Sequence, residues 1–256
     1  MSSLADRIIK EIPSENEVFL YWLGGMGYVI KSKNHTIGLD IYLSDSCRNE
    51  KGDFKRLIPP PIKPQELKLD FLIATHDHGD HYDIDSIPLL INEETNTLLI
   101  GPGSVIEASK KINVNESKLI KLNRNEIKSF SDITFTAVFA DHGEYSKDCI
   151  GIIINISKKS IYFTSDTCYR PDLLELIPLK DAIDVLIVPI NGKFGNPDSK
   201  DASYITAWVK PKIVIPSHFW LFKEHGGDPG QFVDYCSVIA PDSRIEVLAI
   251  DEKLAF

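Results

Sequence analysis

The sequence predicts an α/β (α+β) protein in which short buried strands alternate with helices. Three observations carry this. Apolar runs of about four to eight residues recur along the chain, and between them lie stretches of helical period. Composition is ordinary for a globular protein, 43% hydrophobic and 25% charged over 256 residues. Several of the apolar runs end in His or Asp, so strand ends are the place to look for chemistry. The length suits one domain over residues 1–256, and no linker marks a second.

Residues 4–12 repeat their apolar positions with helical spacing, and Pro13 ends the run. Val18–Leu23 and Tyr28–Lys31 read as two strands around the turn Gly24-Gly25-Met26-Gly27, which lacks a nucleotide-binding glycine pattern. His35 belongs to a hairpin turn leading into the strand Thr36–Asp40. Residues 44–68 are polar and proline-containing, and are expected to loop over the site. Leu69–Ala74 is a buried strand, followed by a helix over Ile84–Ile91 in which Pro88 is tolerable only in the first turn. Strands are then expected at 97–100, 118–122, 133–140, 150–156, 160–164, 183–190, 212–216 and 245–250. Helices are expected at 103–111, 200–210 and 229–239.

The chemistry concentrates in His76-Asp77-His78-Gly79-Asp80-His81-Tyr82-Asp83, directly after a buried strand. Three of the chain's seven histidines fall here, which a solvated polar loop would not require. His76 and His78 are two apart and leave an extended segment on the same side. Gly79 allows a tight turn that brings Asp80 and His81 back toward them. Imidazole and carboxylate donors at one point suit Zn2+, while Mn2+ and Fe2+ gain as carboxylates are added. Further along, three other strands end at His142, Asp166 and His218. Asp40 closes another apolar strand, either as a support for the ligand loop or as a plain turn carboxylate.

The spacing His-x-His-x-Asp-His after an apolar strand resembles the signature of the metallo-β-lactamase superfamily. With His142, Asp166 and His218 in order, the likeness runs from about Trp22 to about Phe232. It implies an αββα sandwich of two mixed sheets flanked by helices, with the site at one edge. His76, His78 and His142 would hold a first ion, Asp80, His81 and His218 a second, and Asp166 would bridge both. Asp40 would support the loop by hydrogen bonding without touching metal. The implied chemistry is a hydrolase with two divalent ions, Mn2+ or Zn2+ with Fe2+ as a further option. A hydroxide shared by the ions attacks a carbonyl or phosphoryl centre, with Asp80, His81 and Asp166 as the catalytic residues.

A narrower likeness joins Phe163–Thr167, Gly195-Asn196-Pro197 and Val214–His218 to the L-ascorbate-6-phosphate lactonase branch. That branch implies opening of a phosphorylated sugar lactone by a cytoplasmic homo-oligomer. Asn191, Lys193, Lys223 and His225 are the candidate residues for binding such an anionic substrate, and Tyr82 and Trp220 either line the pocket or pack. Two alternatives stay open: a phosphodiesterase of the same fold, and a noncatalytic metal-binding protein. The net charge of −9 argues against nucleic acid or anionic membrane as partners. No secretory signal and no apolar run long enough to span a bilayer is visible, so a cytoplasmic location is expected. Cys47, Cys149, Cys168 and Cys236 are scattered without framework spacing, which favours reduced thiols.

Overall fold

Two seven-stranded mixed sheets form the centre of the molecule. The computed structural model describes residues 3–177, 179 and 182–256. The first sheet contains β1 (Phe19–Gly24), β2 (Gly27–Lys31), β3 (Thr36–Leu39), β4 (Phe71–Ile73), β5 (Leu98–Gly101), β6 (Leu119–Lys121) and β14 (Lys253–Ala255). Its order is β14-β1-β2-β3-β4-β5-β6, antiparallel as far as β3 and parallel beyond. The second sheet contains β7 (Ile127–Phe130), β8 (Ile133–Phe139), β9 (Ile150–Ile156), β10 (Lys159–Phe163), β11 (Val185–Pro189), β12 (Ile213–Ser217) and β13 (Arg244–Ile245). There β7 to β10 are antiparallel, and β10 to β13 are parallel.

Period-2 alternation assigns the faces. Leu20, Trp22, Tyr28, Ile30, Phe71 and Ile73 of the first sheet meet Phe135, Ile152, Ile154, Ile161 and Phe163 of the second in one buried core. The other face of β1, with Phe19, Tyr21 and Leu23, packs under α1 (Leu4–Lys10) and α3 (Gly103–Lys111). The second sheet is covered by α5 (Ser199–Val209) and α6 (Pro229–Ile239), through Ala202, Ile205, Phe232 and Cys236. Strands buried on both faces explain why these segments read as continuous apolar runs. The result is the sandwich of two mixed sheets between helices that the resemblance implies.

Five elements depart from expectation. Only Ile87–Leu90 of the helix expected at 84–91 forms (α2), because Asp83 and Ser86 tie the preceding residues into turns. The strand expected at 245–250 ends at Ile245; after the Glu246 N–H bonds the Val214 carbonyl, Leu248 packs into the core without ladder pairing. The edge strands β7 and β14 and the single-turn α4 (Pro171–Leu174) carry no strong period and were not expected. Residues 44–68, expected as a loop, are irregular apart from the single 3-10 turn Pro64–Glu66. The loop is held down by Asp83, which accepts from Leu43 N and from the hydroxyls of Ser44, Ser46 and Ser86. No helix among the described residues is long and apolar enough to cross a membrane.

Candidate metal centre

Strands that run in the same direction, β8 among antiparallel neighbours included, deliver their C-terminal ends to one edge of the sandwich, where the candidate loops begin. β3 ends at Asp40, β4 leads through Ala74 and Thr75 to His76, β8 leads to His142, β10 to Asp166, and β12 to His218. Asp40, Ser165 and His218 each have φ in the left-handed region, at 43°, 60° and 61°. These sharp turns tip the side chains inward instead of continuing along the strand. The two sheets are joined beside the site: Tyr28 Oη donates to Ser217 Oγ (2.9 Å), and Ser217 Oγ and His218 N both donate to the Gly25 carbonyl.

The donors fall into adjoining groups. Ligand atoms of His76, His78 and His142 lie within 4.8 Å of one another, as do those of His81, Asp166 and His218, and those of Asp80, His218 and His225. His76 Nε2 and His78 Nδ1 are 3.0 Å apart, and His81 Nε2 and His218 Nε2 3.2 Å. Such spacings approach the edge of a tetrahedron of about 3.3 Å that metal–nitrogen bonds of about 2.0–2.1 Å require. Asp166 stands between the groups. Its Oδ1 is 3.2 Å from His218 Nε2 and 3.4 Å from His81 Nε2, and its Oδ2 is 3.6 Å from His142 Nε2. Asp166 Oδ1 is buried without a hydrogen-bond partner of good geometry, as a donor atom reserved for a cation would be. The donor set therefore fits divalent metal.

Outer partners choose which ring nitrogen faces the centre. His81 Nδ1 donates to Asp40 Oδ2 at 2.7 Å, which turns Nε2 inward. The Tyr145 carbonyl accepts from His78 Nε2 at 3.0 Å, leaving Nδ1 for the centre. Asp40 also accepts from Thr75 N and Thr75 Oγ1, and Thr75 Oγ1 in turn accepts from Ser165 Oγ at 2.6 Å. One buried chain of hydrogen bonds thus links the His81 support to the residue next to Asp166.

Electrostatics divide the histidines. Burial pushes His142 down to about 4 and His225 down to about 3, and lowers His76 well below the ordinary value. Burial also opposes charge on His81 and His218. The carboxylates beside them, Asp166 foremost, overcome it and raise both. Asp166 is likewise pushed up by burial but held well below the carboxylate range by His218 and His81. A buried carboxylate that draws positive charge this strongly is suited to hold cations.

A family model described as a beta-lactamase superfamily domain matches residues 35–219. The chain belongs to the metallo-β-lactamase superfamily. It is 30% identical over 181 residues to a UPF0173 metal-dependent hydrolase of Carboxydothermus hydrogenoformans, covering 68% of this chain and 76% of that protein. It is 32% identical over 214 residues to a UPF0173 protein of Pyrococcus furiosus, covering 83% of this chain and 88% of that one. A solved structure, the metallo-β-lactamase fold protein YhfI of Bacillus subtilis, superposes with a TM-score of 0.70 at 16% identity, covering 94% of this chain and 100% of that one. At that identity the likeness speaks for the fold alone.

Within this superfamily fold, the residues nominated from sequence are distributed unevenly. His76, His78, Asp80, His81, His142, Asp166 and His218 converge, and Asp40 lies behind His81. His225 joins them, its Nε2 3.7 Å from Asp80 Oδ2, which is within reach of the centre itself. Asn191 is buried with both amide atoms unpartnered, and it does not line the cavity. Neither do Lys193 and Lys223; the Lys223 amine is 3.4 Å from both Asp53 and Glu224. Tyr82 lines the cavity and bonds Ser109, whereas Trp220 is exposed outside it. His35 stays in its turn, 2.7 Å from Asp132. The cysteines are free, with Cys149 and Cys236 buried. Sequence reasoning missed Thr75, Ser165 and Tyr145, and also the cavity residues Phe54, Phe194 and Phe222. Only Thr75 and Ser165, flanking the ligands, carried a local signal.

Proposed function

We propose that this chain is a metal-dependent hydrolase that holds two divalent ions and breaks an ester or lactone bond by attack of water at its carbonyl carbon. The supporting observation is Asp166, with one carboxylate oxygen toward His81 and His218 and the other toward His142. His76, His78 and His142 would hold one ion, and Asp80, His81 and His218 the other. When bound, two such ions lower the pKa of a shared water toward neutrality and stabilise negative charge that builds on the carbonyl oxygen. Asp40 and the Tyr145 carbonyl keep the rings of His81 and His78 from turning. Asp80 Oδ2, 3.5 Å from His218 Nε2 and 3.7 Å from His225 Nε2, is placed to take the water proton. It returns that proton to the alkoxide once the water oxygen has bonded to carbon and the ester C–O bond has broken.

The lactone itself rests on the likeness to the ascorbate-6-phosphate lactonase branch. Among the described residues no lysine or arginine lines the cavity, so the phosphate of that substrate is left out here. The test is protein loaded with Zn2+ or Mn2+, assayed on ester and lactone substrates and on bis-p-nitrophenyl phosphate. Turnover of the carbonyl substrates is expected, and Asp166→Asn should lose one ion and roughly a hundredfold in rate. Turnover of the diester alone would replace this reading with a phosphodiesterase.

A further inference from the structure

The cavity that opens onto the centre has a volume of about 510 Å3, a size suited to a small organic molecule. Its walls carry more information than its size. Phe54, Phe194 and Phe222 stand on one side, with ring centroids 6.1 Å apart for Phe54 and Phe194 and 5.7 Å for Phe54 and Phe222. Phe222 continues this wall to His225 at 4.8 Å, and His225 reaches His218 at 4.4 Å. A series of edge-to-face and tilted ring contacts therefore leads along this wall to the proposed ligands. Tyr145, its ring 5.4 Å from that of His142 and tilted by 34°, and Ile84 also line the cavity.

Three of these side chains are unusually exposed for their type: Tyr145 at 61%, Ile84 at 49% and Phe194 at 39%. Scattered exposed apolar residues need no explanation, but a group around the mouth of one cavity marks a binding surface. Phe54 and Phe194 each have φ of 55°, a left-handed conformation that bulky residues rarely adopt. Such conformations persist where the surroundings impose them and gather at ligand clamps. Among the described residues the lining carries Asp77, Asp80 and Asp166 but no lysine or arginine, so outside the histidine cluster no fixed cation of the protein meets an anionic substituent there.

We infer that the site takes an uncharged ester or lactone carrying a flat apolar group, an aryl ring above all, which lies against Phe54, Phe194 and Phe222 while its carbonyl faces the centre. This rests on the reading of the centre as a carbonyl hydrolase. Offset and edge-to-face contacts reward an aromatic guest beyond the area it buries. A phosphorylated sugar ring would desolvate its hydroxyls against these walls without partners for them.

The test compares kcat/KM of the metal-loaded protein for dihydrocoumarin, γ-butyrolactone and phosphogluconolactone. Dihydrocoumarin should lead γ-butyrolactone by about tenfold or more. Phe194→Ala should cut that lead by about fivefold or more, and Phe54→Leu should do the same should Phe54→Ala fail to fold. Preference for phosphogluconolactone, or a lead unmoved in folded variants, would overturn the inference. Where no lactone is hydrolysed, calorimetric titration with the unreactive lactam dihydroquinolinone decides. Binding that Phe194→Ala weakens supports the apolar site and removes the carbonyl-hydrolase reading; no binding overturns the apolar site itself.

Discussion

Asp40 shows how much of the centre depends on a residue that faces away from it. Its carboxylate is fully buried, and burial raises its pKa against the pull of His81 and Thr75. What it receives in return is three donors, one of them the ring N–H that aims His81. Asp40→Asn keeps the shape and loses the charge, so metal affinity should fall by about 10–100-fold with circular dichroism unchanged. Unaltered affinity would make Asp40 a turn residue only. Protons make a second check. Asp166 raises His81 and His218, so in the metal-free chain this facing pair holds a proton above the ordinary histidine range, while His76 and His142 are already neutral. A nitrogen must be unprotonated to bind metal. Loading near about pH 7 should therefore release protons, and affinity should climb as pH rises toward the elevated values. Calorimetry in buffers of different ionisation enthalpy reads this directly, and a buffer-independent heat would contradict it. At this scale the sequence was informative, since the side chains that converge at the strand ends announce themselves by type and spacing. Tyr145 could not be found that way, because it acts on His78 through its backbone carbonyl, which every residue possesses.

Among the elements, strand ends do the positioning, and close packing sets how little they can move. A Cβ at Gly101, the last residue of β5, would lie 2.7 Å from the Ala74 carbonyl oxygen, backbone that leads into His76. Gly101→Ala should cost roughly 1–3 kcal/mol and lower Tm, because the atom in the way is main chain and cannot rotate aside. Displacement of β4 should also weaken metal loading, and a variant with wild-type Tm would show that the strands part more easily than their packing indicates. The central strands were legible because burial on both faces produces long runs such as Ile150–Ile156. The edges were not. β7 alternates only between exposed and half-buried positions, and β14 owes its three residues of strand to pairing with β1, a contact between chain ends that no local pattern encodes.

For the molecule as a whole, the sandwich serves to bring donors that are distant in sequence to one edge, from His76 to His218, with Asp40 behind them. The order and type of those donors were readable in the sequence, and so was the family. The cavity above them was not. Phe54 comes from the loop that Asp83 anchors, Phe194 from the turn after β11, and Phe222 from the segment after β12. Their isolated spacing looks like ordinary core until tertiary structure places them side by side. Lys193 and Lys223, chosen for charge and for their place in sequence near strand ends, point to the opposite lesson: that proximity did not carry them into the cavity.

The central claim, two ions shared through Asp166, is tested most directly by anomalous diffraction from crystals of the metal-loaded protein, recorded at the absorption edge of the bound metal. Two peaks are expected: one among His76, His78 and His142, the other among Asp80, His81 and His218, with Asp166 between them. A single peak, or none at this edge of the sandwich after loading, would contradict the account.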